Sequence, residues 1–220
     1  MGIVTEALVN FIFPPHCPVC QAYVAQRGGW CQNCLAVTLR PHRLPLDPGM
    51  LSALDAAWAL GSYHGALREL IRRLKYQRQR SVLPAIWTLL AAASPWLARE
   101  IGPGVVAVPV PLHAAKERAR GFNQAELIFQ RWLLQNGRQW QRALLRHRAT
   151  LPQYGLDARA RAENMCGAFL ATADAAVQDR DVLLVDDILT TGSTLFAGAL
   201  ALRTAGARSV SALVLASDRQ

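Results

Sequence analysis

The run Val182-Leu-Leu-Val-Asp-Asp-Ile-Leu-Thr-Thr-Gly-Ser-Thr194 carries an apolar stretch into two adjacent carboxylates and then into a short turn rich in hydroxyls and glycine. Each part has a chemical use. Ligands of open parallel sheets sit beyond the carboxyl ends of strands, and Asp186 and Asp187 would be delivered there to accept hydrogen bonds from sugar hydroxyls. Thr190, Thr191, Gly192, Ser193 and Thr194 offer backbone N–H groups, hydroxyls and a helix start to one phosphate, with Gly192 letting the backbone come close. Read only as a strand and a capped turn, the segment has no need of both acids. Together the pair and the loop suit a sugar phosphate.

Cys17-Pro-Val-Cys20 and Cys31-Gln-Asn-Cys34 are two CxxC pairs with ten residues between them. A structural zinc ion takes four thiolates in a tetrahedron, and each CxxC supplies two from one tight turn. Redox chemistry ordinarily uses a single CxxC, and a disulfide framework belongs to oxidising compartments. Cys17, Cys20, Cys31 and Cys34 are therefore the expected zinc ligands, with His16 and His42 as substitutes. Cys166, among Met165, Gly167 and Ala168, reads as a packing residue rather than a nucleophile.

The 24 Lys and Arg residues outnumber the 15 Asp and Glu, for a net charge of +9, and only Lys75 and Lys116 among them are lysines. The excess is local: residues 65–164 hold 17 basic and 6 acidic side chains. Guanidinium forks match pairs of phosphate oxygens, which points to nucleotides or nucleic acid; the alternative is a solvated basic surface. Tyr76, Phe122, Trp132 and Trp140 interleave with these arginines, as in single-strand stacking platforms, although Trp132 on an expected amphipathic helix and Phe122 just before it are more often core.

These groups need elements to hold them. A composition of 52% hydrophobic and 18% charged residues excludes disorder and collagen-like repeats. Apolar runs at Ala57–Tyr63, Val105–Val108, Val182–Val185 and Val210–Leu215 read as strands. Stretches at Leu67–Tyr76, Val82–Leu97, Gln124–Leu134 and Ser193–Ala205 read as helices, and the segment from Val108 through Gly121 as a loop. This order predicts an α/β fold with a parallel sheet flanked by helices. The proline-rich stretch Arg40–Pro48 is read as a connector, dividing a four-cysteine module and linker at 1–49 from a larger domain at 50–220. No apolar run near the roughly 20 residues of a membrane span is evident, and Glu6 stands where a myristoylation signal wants Ser or Thr. The chain is accordingly expected to be cytoplasmic, without membrane insertion.

Residues 182–194 resemble the phosphoribosyl pyrophosphate (PRPP) motif of type I phosphoribosyltransferases. Val108-Pro-Val-Pro-Leu-His113 with Lys116, Arg118 and Arg120-Gly-Phe-Asn-Gln124 is similar to the signature of the ComF/GntX family, as are Lys75-Tyr76 and the spaced set Arg148, Ala149, Thr150, Gln153, Leu156, Arg161, Asn164, Ala168 and Phe169. With the CxxC pairs, the resemblance spans nearly the whole chain. It implies a type I phosphoribosyltransferase fold with a small zinc-ribbon-like module. Asp186 and Asp187 would take the ribose hydroxyls, Thr190–Thr194 the 5-phosphate, and Pro111, Leu112 and His113 the pyrophosphate. Lys116, Arg118 and Arg120 would form a mobile basic loop that closes over it, with Lys75 a further contact. Magnesium would accompany PRPP, and the acceptor would meet a hood built from the N-terminal module. Two roles are implied: phosphoribosyl transfer to an unidentified acceptor, or PRPP sensing and single-stranded DNA binding without turnover. Both belong to DNA uptake in natural competence.

Overall fold

The computed structural model describes residues 13–147 and 167–219. The cysteine module comes first: a turn at 17–21, then helix α1 (Gln32–Thr38). Strand β1 (His42–Arg43) and the short helix α2 (Pro48–Leu51) follow, with Pro48 in the first helical turn, where its missing N–H costs nothing. The proline-rich connector thus contributes an edge strand and a helix start.

The body alternates strand and helix. Its elements are β2 (Ala56–Ala59), α3 (Gly65–Tyr76), α4 (Leu83–Glu100), β3 (Val106–Pro109), α5 (Ala114–Arg120), α6 (Gln124–Gln135), β4 (Gln139–Trp140), β5 (Leu144–Arg146), β6 (Phe169–Ala171), β7 (Asp181–Leu189), α7 (Ser193–Thr204) and β8 (Ser209–Ser217). Six strands form one sheet in the order β1-β2-β8-β7-β3-β4, parallel except for β1, while β5 and β6 pair antiparallel as a separate ribbon. This is an α/β architecture with a parallel sheet between helical layers.

The two-residue period of the strands divides the core. Leu183, Val185, Leu213 and Leu215 pack with α3, α4 and α6 on one face, and Val182, Leu184, Val210 and Ala212 pack with α7 on the other. β3 therefore leaves toward α6 on one face while β7 leaves toward α7 on the opposite face. Adjacent parallel strands whose connections diverge open a crevice at their carboxyl ends.

Two expectations need correction. The segment expected as a loop through Gly121 contains α5, because Ala114-Ala-Lys-Glu-Arg-Ala-Arg120 is made of strong helix formers, capped by the His113 ring and ended by Gly121 at φ +83°. In addition, Arg80–Glu100 is a 21-residue helical stretch with an 18-residue window of mean hydropathy 1.4, long and apolar enough to cross a membrane by length and composition. In this fold it is a core element: Leu83, Ile86, Leu89, Leu90 and Leu97 are buried, and Trp87 Nε1 donates to the carbonyls of Leu127 and Ile128 on α6. A helix apolar on most sides is what a large core accepts.

Candidate functional site

The crevice between β3 and β7 is a cavity of about 960 Å³. β7 runs on through both acids to Leu189, so Asp186 and Asp187 lie inside the strand rather than at its tip. Successive side chains alternate faces, which gives the acids different neighbours. Asp187, 2% exposed, turns to the α3 side, where Lys75 Nζ stands 2.7 Å from its Oδ2. Asp186 Oδ1 accepts the Asp187 N–H at 2.8 Å. Burial, reinforced by Asp187 and opposed by Lys75, raises the Asp186 carboxyl well above the usual carboxylate range. Burial pulls the Lys75 ammonium down, but attraction to Asp187 and Asp186 outweighs it, so the net shift is upward.

Beyond β7, Thr190 to Thr194 all line the cavity. Gly192 caps α7 at φ +85°, a left-handed conformation that L side chains rarely adopt. The hydroxyls of Thr191 and Ser193 stand 3.2 Å apart. The loop thus presents a helix start and hydroxyls on one side, as a phosphate requires.

On the facing wall, Pro111 and Leu112 line the cavity after β3, and Lys116 and Arg120 line it one helical turn apart on α5. Arg120 Nη1 donates to Gln124 Oε1. Burial, then Arg146 and Arg120, lowers the Lys116 ammonium. Arg118 and His113 are not among the lining residues. His113 instead accepts the Ala115 N–H at 3.3 Å as the cap of α5, which is the structural role open to a lone histidine.

Three lining cations and aromatics had no signal in the sequence. Arg146 comes from β5, Arg78 bends back after α3 at φ +54° to donate to Ala119 O at 2.5 Å, and Tyr63 follows β2. Lys75, Arg78, Lys116, Arg120 and Arg146 thus surround two carboxylates in one crevice. Such a field favours a polyanion. Among the described residues the second sheet, through Arg146, overhangs the site, and no residue of the cysteine module lines it. Phe122 and Trp132 are buried core residues, as aromatics at such spacing commonly are. Arg148 to Cys166 lie outside the described residues.

The four cysteines converge. Their sulfurs all lie within 4.8 Å of one another, and Cys20 and Cys31 are 3.6 Å apart. Tetrahedral zinc with Zn–S near 2.3 Å needs sulfurs about 3.8 Å apart, so the donor set and spacing fit a structural zinc. Burial opposes ionisation of Cys17, but N–H groups of Cys20, Cys31 and Val19 bring it down to about 6. Cys34, hydrogen-bonded to Cys31, is pushed up to about 12. Neither histidine joins the cluster: the His16 ring packs against Tyr23, and His42 Nδ1 lies 2.8 Å from Arg40 O.

Comparison with known proteins matches two parts of the chain to known domains. The double zinc ribbon domain matches residues 8–44, and the phosphoribosyl transferase domain matches residues 145–220. The DNA utilization protein YhgH of Salmonella typhimurium is 32% identical over 190 residues, covering 81% of this chain and 80% of that protein. Its Escherichia coli K12 counterpart is 33% identical over the same shares. Competence protein F of Haemophilus influenzae is 32% identical over 191 residues, covering 82% of this chain and 75% of that protein.

Proposed function

Because the chain belongs to the ComF/GntX family, in which a zinc ribbon precedes a phosphoribosyltransferase-type domain, we propose that its crevice binds PRPP with magnesium and serves DNA utilisation in competence. The observation that carries this reading is the meeting, in one cavity, of two buried carboxylates, a hydroxyl-rich loop with a left-handed glycine and a ring of cations. Asp186 and Asp187 accept the ribose hydroxyls, and the Thr190–Thr194 loop takes the 5-phosphate. Lys116, Arg120 and Arg146 meet the pyrophosphate. The oxygen donors of Asp186 and Asp187 fit a hard divalent cation, and magnesium, when bound, neutralises charge on the pyrophosphate.

In transfer, the bond from the anomeric carbon to pyrophosphate breaks and negative charge gathers on the leaving group. The cations of α5 and β5 face that charge at fixed positions, the form of electrostatic stabilisation that contributes most in such reactions. Lys75 acts as a cation rather than a base, since Asp187 and Asp186 hold it protonated. The same ion pair bears on a second reading, a non-catalytic PRPP sensor: Lys75, held protonated by Asp187 and Asp186, offers no base for transfer.

Titration calorimetry with PRPP and magnesium tests the site. Asp186→Asn with Asp187→Asn should weaken binding by about tenfold or more, and unchanged affinity removes the assignment. Pyrophosphate release in the presence of nucleobase acceptors separates the transferase from the sensor. For DNA, Arg78 joins the end of α3 to α5 at the crevice rim, extending the basic edge. Weak, sequence-independent binding of single-stranded DNA should follow, its log affinity falling against log salt by about 0.7 per phosphate neutralised. Residues 1–49 then act as a metal-organised module and linker on the 50–220 domain.

A further inference from the structure

The loop that lines the phosphate end of the crevice is held from behind by one side chain just past β8. Arg219 Nε donates to Thr190 O at 3.1 Å, and its Nη2 donates to Thr191 O at 2.6 Å. The same guanidinium meets Asp47 Oδ2 at 3.3 Å and Pro45 O at 3.4 Å. Asp47 is itself fixed, since its Oδ1 caps α2 by accepting the Met50 N–H at 2.9 Å. Met50, 4% exposed, fills the space beside Gly192, where an added Cβ would stand 2.6 Å from its Sδ. The backbone N–H of Arg219 donates to Ser217 Oγ at 3.0 Å, and that hydroxyl donates to Leu189 O at 2.9 Å. Three successive carbonyls, of Leu189, Thr190 and Thr191, are therefore tied on one side of the loop.

The consequence follows from peptide geometry. In a trans peptide the C=O and the N–H point in opposite directions. Carbonyls of Thr190 and Thr191 turned onto Arg219 turn the N–H groups of Thr191 and Gly192 the other way. Both residues line the cavity, and Arg219 does not. We propose that Arg219 is a positioning residue: seated by Asp47, it orients the loop N–H groups toward the 5-phosphate of the bound ligand, an inference that rests on the PRPP reading of the crevice. A lysine could reach one of these acceptors but lacks the fork that spans two carbonyls and a carboxylate.

The test compares the full chain with Arg219→Ala, Arg219→Lys and Asp47→Asn by two readouts: hydrogen exchange at the Thr191, Gly192 and Ser193 amides without ligand, and calorimetric affinity for PRPP with magnesium. Arg219→Ala should speed exchange at those amides by about tenfold or more, leave β3 and α6 unchanged, and weaken PRPP binding by about tenfold. Arg219→Lys should recover part of both, and Asp47→Asn, whose carboxylate is half exposed, should cost about threefold. Unchanged loop exchange in Arg219→Ala overturns the proposal, as does full PRPP affinity alongside faster exchange. If Arg219→Ala does not fold, the same criteria apply to Arg219→Lys and Asp47→Asn. If the wild-type chain binds no PRPP, the reading of the crevice fails, and the exchange readout alone decides whether Arg219 sets the loop.

Discussion

The β7 wall of the crevice buries its charges, whereas the α5 wall desolvates its own only in part. Asp187 is 2% exposed and paired with Lys75, while Lys116 and Arg118 are exposed on a seven-residue helix with no buried residue of its own. Buried charges tie ligand chemistry to fold stability and pH, because each must be compensated or protonated. Exposed charges act through a screened field and contribute little to folding. The two walls should therefore fail differently when altered.

The largest effect is expected at the buried pair. Lys75→Met leaves the Asp187 carboxylate desolvated and unpaired, and urea unfolding at pH 7 should show a loss of about 3 kcal/mol or more. Lys75→Met with Asp187→Leu should regain most of that loss; a negligible loss in the single variant would mean that the β7 wall is as solvated as α5.

Asp186 gives the comparison a pH dependence. Its folded carboxyl is raised by burial and by Asp187, so the folded state binds this proton more tightly than the unfolded state does. Stability from this group is present at acid pH, below the unfolded value near 3.9, and is lost as pH rises through the folded value. Asp186→Asn should therefore be more stable than wild type at pH 7, with the advantage vanishing near pH 4, while PRPP affinity falls. Thermal unfolding across that pH range checks the sign, and an advantage that grows on acidification would contradict it.

The α5 wall should respond to salt instead. Lys116→Ala with Arg120→Ala should weaken PRPP by about tenfold at low ionic strength, with the deficit shrinking at high salt and stability changing by less than about 0.5 kcal/mol. Arg118→Ala, which leaves the cavity lining intact, should change PRPP affinity by less than about twofold and lower the salt slope for single-stranded DNA by at most about 0.7. A large PRPP effect at Arg118 would show that α5 rotates or moves when ligand binds.

What was legible in the sequence follows the same division. The β7 loop and α7 were readable because strand period, paired acids, glycine and helix start are all local and contiguous. The zinc cluster was readable because the CxxC pairs fix two ligands each. Arg146 and Arg219 were not, since each reaches the site from an element whose position depends on pairings distant in sequence, β5 with β6 and the segment beyond β8 with residues 45–50. α5 departs from the expected loop because a seven-residue helix is too short to show an apolar period, and its signal lies only in its helix formers and in the caps at His113 and Gly121.

The two residues of β1 have a colloidal role. His42 and Arg43 pair with Ala59 and Trp58 along the outer side of β2 at one end of the sheet. Without them β2 would show a row of unpaired backbone groups beside the apolar Ala56-Ala-Trp-Ala59, the kind of edge that recruits another chain. A chain in which β1 cannot pair would lose this cover and tend to self-associate through β2, whereas one that keeps His42 and Arg43 in register leaves that edge sealed.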